Sequence, residues 1–146
     1  MYPDPRVERF ISDTFIPARF HVKTHPEAMG RFHVDWTPTI LILDSDGTER
    51  HRIEGFLPAD EFLAQLHLGL ANVAFKAGKF EQSAERYDRV VHDFGGTAAA
   101  PEAQYWAGVS RYKATGSGDA LKATADAFRD RYKDSAWAKK ASVWAA

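Results

Sequence analysis

Apolar and polar residues change their spacing several times along this chain, and each change marks an element. Val7, Phe10 and Ile11 recur at helical spacing behind Asp4 and Pro5, an N-cap and first-turn pair that predicts a short helix over about Pro5 to Asp13. Ile16, Ala18, Phe20 and Val22 then alternate with Pro17, Arg19, His21 and Lys23, the period of two expected of a strand with one buried face. Pro17 marks its beginning or an edge. A second short helix follows Pro26 through Ala28, Met29 and Phe32. The unbroken run Ile40-Leu41-Ile42-Leu43 then predicts an interior strand buried on both faces.

Asp44-Ser45-Asp46-Gly47 supplies the chemistry of a tight hairpin turn, and Thr48 to Ile53 returns as a charged edge strand ended by Gly55. Pro58 opens what should be the longest helix, with Phe62, Leu63, Leu66, Leu70, Val73 and Ala74 drawing its apolar stripe as far as Ala77.

From Gly78 onward only helical spacing is found. Phe80, Ala84, Tyr87, Val91 and Phe94 form one stripe, and Leu121, Ala125, Phe128 and Tyr132 form another. Gly95-Gly96-Thr97, Gly116-Ser117-Gly118 and Lys133-Asp134-Ser135 punctuate them as turns, with Asp119 and Ser135 as expected N-caps. A weak internal repeat pairs Phe94 with Tyr132, Thr97 with Ser135, Ala103 with Ala141 and Trp106 with Trp144. Such a unit of one helix hairpin resembles tetratricopeptide-like repeats, although their usual period is about 34 residues and their full consensus is absent.

Composition narrows what such a chain can do. With 146 residues, 45% of them apolar and 13% aromatic, it has the material for a packed interior. Nineteen basic residues balance twenty acidic ones, so there is no positive field to gather nucleic acid. No window approaches the ~20 apolar residues of a membrane span, and the opening MYPDPRVERF lacks the apolar run of a secretory signal. The expected partner is therefore neither nucleic acid nor membrane. A cytoplasmic location is expected, with a periplasmic one open if an N-terminal segment is missing. The absence of cysteine removes disulfides, thiolate nucleophiles and cysteine metal sites together.

Phe15 to Leu66 runs as strand, short helix, a Trp-Thr-Pro-Thr step, an apolar strand, an Asp-Gly hairpin, an edge strand, a glycine and a helix. That order resembles the C-terminal half of a thioredoxin-like domain. The resemblance implies an α/β plus α arrangement: a partial thioredoxin-like sheet with flanking helices over residues 1–77, followed by an all-helical, tetratricopeptide-like tail over residues 78–146. It implies that Pro38 is cis, and that Thr37 offers its backbone to an extended peptide, with Trp36 beside it. Trp36, Thr37 and Pro38 are thus the expected peptide-binding residues. Trp36 also has a plainer expected role, packing against Phe32.

In the family a central strand and a Cys-x-x-Cys segment come before the part seen here, and Tyr-Pro-Asp-Pro resembles the stretch that follows the active-site helix. Two readings follow. The chain is a redox-inactive module holding a protein or peptide partner, or it belongs to a thiol–disulfide oxidoreductase whose cysteines lie upstream of Met1. Without the central strand, Ala18 to Val22 is expected either to pair directly with Thr39 to Leu43 or to be paired across a homodimer.

Other chemistry finds little footing. His21, His25 and His33 have no cysteine or well-spaced carboxylate to complete a metal site, and no cofactor is expected. Asp44-x-Asp46-Gly47 reads as a hairpin turn rather than a calcium loop, because its glycine falls early and no twelfth-position Glu follows. No Ser lies in Gly-x-Ser-x-Gly, so no catalytic residue is assigned. Tyr105, Trp106, Tyr112, Trp137 and Trp144 fall at helical spacing, which favours the core over a partner groove.

Overall fold

The computed structural model describes residues 3–145; Met1 and Tyr2, the latter the first residue of the Tyr-Pro-Asp-Pro opening, lie outside the described residues, as does Ala146. Helix α1 (Pro5–Thr14) starts where expected, with the Asp4 carboxylate accepting from the Arg6 N–H at 2.8 Å. Helix α2 (Pro26–Arg31) follows an extended stretch, and strands β1 (Thr39–Leu43) and β2 (Glu49–Glu54) form an antiparallel hairpin. Its turn is closed by Asp44, which accepts from the N–H groups of Asp46 and Thr48 at 3.0 Å while Gly47 takes a φ of 80°. A salt bridge of 2.8 Å from Arg50 to the same carboxylate leaves this loop a structural turn.

The strand expected over Ile16 to Val22 does not form. The alternation is present and the chain there is open, but every residue from 16 to 27 is exposed and the sheet has only the two strands β1 and β2. A strand is a property of a pair, and among the described residues this segment has no partner. Direct closure of 18–22 onto β1 is likewise not seen. For the same reason β1 is not buried on both faces. Ile42 is buried against the long helix, whereas Leu43 is exposed.

Helix α3 (Ala59–Lys76) is apolar on two sides, and each side serves a different cluster. Phe62, Leu63 and Leu66 pack with Val7, Ile42 and Ile53 beneath the hairpin. Ala64, Leu68 and Ala71 turn instead to helices α4 (Phe80–Asp93) and α5 (Ala99–Thr115), where they meet Tyr87, Val90, Ala99, Ala103 and Ala107. Gly69 lets α3 lie close on the sheet: a Cβ there would fall 2.2 Å from Ile42 Cδ1 and 3.0 Å from His51 Cβ.

A chain of polar groups crosses the same junction. The His51 ring bonds Gln65 at 2.7 Å, Asn72 lies 3.5 Å from its other nitrogen, and the Tyr87 hydroxyl donates to Asn72 Oδ1 at 2.6 Å. Burial holds the His51 pKa below the ordinary histidine value and raises that of Tyr87, so both groups favour their neutral forms.

The rest is helical: α6 (Asp119–Asp130), α7 (Ala136–Ala141) and a closing 3-10 turn over Ser142–Trp144. Ser135 caps α7 by accepting from the Ala138 N–H at 3.1 Å. Asp119 is inside its helix, because Gly118 takes the cap position. The turns before α5 and α7 share a geometry: the Thr97 hydroxyl donates to the Phe94 carbonyl at 2.6 Å, and the Ser135 hydroxyl to the Tyr132 carbonyl at 2.7 Å. Tyr105 stacks on Trp144 at 4.9 Å and meets Trp137 at 5.3 Å, so these aromatics chiefly hold α5 and the chain end together.

Candidate functional site

Trp36, Thr37 and Pro38 sit where the chain turns into β1. The Thr37–Pro38 peptide bond is cis, and the Thr39 hydroxyl donates to the Trp36 carbonyl at 2.5 Å. On the inner side the Gly55 N–H donates to the Pro38 carbonyl at 2.7 Å. The preceding loop is held from β2, where Arg52 donates to the Phe32 carbonyl at 2.5 Å and the His33 carbonyl at 3.2 Å and also pairs with Glu49 at 2.7 Å.

Trp36 does not bury itself against Phe32. The residue is 67% exposed, with its indole nitrogen near Gly55, whose φ of 85° is one that glycine takes readily. The ring of Phe32 instead carries the Arg31 guanidinium 5.1 Å from its centre. Phe56 is 70% exposed on the other side of Gly55. Sequence reasoning passed over Phe56; its only signal was an apolar pair, Phe56-Leu57, set in a loop between a glycine and a proline.

The bond from Gly55 to Pro38 also fixes the parity of the hairpin. Given the register Thr39↔Glu54, Ile40↔Ile53 and Leu41↔Arg52, hydrogen-bonded rungs fall at residues 40 and 42. The backbone groups of Thr39, Leu41 and Leu43 therefore point away from β2. That outer edge has no neighbouring strand among the described residues. The site is thus a two-thirds-exposed indole at the head of a strand edge open among the described residues, with hydrogen-bonding capacity for an extended chain and no cysteine in the sequence to act beside it. Among the described residues no group of three or more His, Asp or Glu side chains could hold a metal ion, and His21, His25 and His33 are not gathered into one.

Residues 4–69 match the family model of the thioredoxin-like domain. That stretch, a little under half of the chain, is similar to the thioredoxin-like family. The match spans α1 to the middle of α3 and takes in the whole candidate site, while the helical remainder lies outside it. No curated protein and no solved structure matched the chain. Among the described residues no helix is long and apolar enough to cross a membrane.

Proposed function

We propose that this chain is a redox-inactive thioredoxin-like module that holds a protein or peptide partner in extended form against Trp36, Thr37 and Pro38. The observation that carries this reading is the exposure of Trp36 at the start of a strand whose outer edge has no neighbour among the described residues. An added strand draws affinity from main-chain hydrogen bonds and specificity from alternate side chains, and the exposed Trp36 offers an apolar surface for one of those side chains. Redox inactivity rests on the lack of any thiolate in the sequence. The helical tail, read as tetratricopeptide-like from its paired turns, then serves as the scaffold that backs α3.

A random linear peptide library displayed on phage and panned against the purified chain tests the docking. Enriched peptides should bind Trp36→Ala at least tenfold more weakly and Tyr112→Ala, altered on the distant tail, as the parent does. Failure to enrich any sequence, or equal binding by Trp36→Ala, would overturn the proposal. In a parallel assay, insulin reduction by dithiothreitol should run no faster with the chain than without it.

A further inference from the structure

Two unpartnered features remain, and each has the form the other lacks. The outer edge of β1 offers the backbone groups of Thr39, Leu41 and Leu43, and between Thr39 and Leu43 there is neither a charge nor a proline. Those are the usual devices by which an edge strand avoids pairing. The opposite edge, β2, is well protected by Glu49, Arg50, Arg52 and Glu54.

The second feature is the segment 16–22. Its side chains are all exposed, Ile16 at 101% and Phe20 at 50%, and its alternation places Ile16, Ala18, Phe20 and Val22 on one face when extended. Among the described residues the backbone of 16–20 makes no hydrogen bond. The segment is tied at its ends instead, by the Phe15 N–H to Ile11 and by the turn in which His21 accepts from Thr24 and His25. A strand-coded stretch that leaves this much apolar surface in water gains by being covered.

The geometry points to a reciprocal exchange between two copies of this chain, in which residues 16–22 of each add as a strand to the outer edge of β1 of the other. A second copy is the occupant because the chain itself carries both halves of the pairing. The exchange closes on a two-fold axis and satisfies both features at once. The exchanged strand would take the same outer edge of β1 that the proposed peptide uses, so the two occupants exclude each other there; the inference rests on segment 16–22 and not on Trp36.

Light scattering after size exclusion, over a wide concentration range, tests it on the full chain. The parent should rise to the mass of two chains. Ile16→Asp alters a fully exposed side chain and should return the mass to that of one chain. Ala18→Pro and Arg19→Pro remove donors on opposite sides of the segment, so at least one should weaken dimerisation tenfold or more. Far-ultraviolet circular dichroism of all three should match the parent's monomer, since all three residues are exposed and lie outside any helix or strand. A parent monomeric at every concentration would overturn the inference, as would a dimer indifferent to all three substitutions. Should either proline variant fail to fold, Ile16→Asp alone decides.

Discussion

Gly69→Ala and Gly30→Ala make the same chemical change in two helices and should move stability in opposite directions. Each removes a helix-interior glycine, which by propensity alone stabilises by about 1 kcal/mol. At Gly30 in α2 nothing lies within 4 Å of the added carbon, so that gain should stand. At Gly69 the new Cβ would sit 2.2 Å from Ile42 Cδ1, 3.0 Å from His51 Cβ and 3.1 Å from its Cδ2. Ile42 can turn its terminal methyl only within a filled core, being 4% exposed. His51 cannot retreat without leaving its bond to Gln65. Overpacking of this kind costs about 1–3 kcal/mol, and loss of the histidine bond about 1 more. After the propensity gain, Gly69→Ala should lose about 1–3 kcal/mol net. At a urea dependence of about 2 kcal/mol per molar, the unfolding midpoint should fall by roughly 0.5–1.5 M, while that of Gly30→Ala stays level or rises. Equal midpoints for the two variants would show that α3 does not bear on the hairpin as described.

Two further outcomes follow from the polar junction. His51 and His67 both have pKa values lowered chiefly by burial, so below about 6.5 the unfolded chain takes up protons that the folded chain resists. Their contribution is complete above that value and is lost as pH falls toward the folded pKa. The urea midpoint measured in a Glu102→Gln background, which removes a half-buried carboxyl whose raised pKa acts in the opposite direction, should therefore drop between pH 7.5 and 5.5, and His51→Gln should flatten the drop. Tyr87→Phe leaves Asn72 Oδ1 without its donor and should cost about 1–3 kcal/mol, and the double variant with Asn72→Ala should cost less than the sum of the singles.

The helices were legible because their signals are local. Asp4 with Pro5, the stripe from Phe62 to Ala74 and the serine before α7 all act within a few residues of themselves. The hairpin was legible for the same reason, through Asp44 and Gly47. What failed was whatever depends on a distant partner. Ile16 to Val22 carries a strand's alternation and yet stays unpaired among the described residues, and Ile40 to Leu43 reads as fully buried although only Ile42 is, with Leu43 exposed and one edge of β1 without a neighbour among them. The parity of the hairpin, which sends Leu41 outward and Ile40 inward, depends on a bond from Gly55 that no pattern announces. Of the candidate site, the three residues were readable from the Trp-Thr-Pro-Thr step. The exposure of Trp36 and the presence of Phe56 were not, since an aromatic near a strand is ordinarily core.

Because α3 gives one side to the hairpin cluster and the other to α4 and α5, it is a party wall between two rooms. Cutting the chain after Ala77 would leave Leu68 and Ala71 facing solvent, and cutting before Ala59 would deprive the tail of its inner lining. Neither piece inherits a closed interior. The two halves are therefore bound to melt together, and a partner gripping the sheet would steady the helical end without touching it.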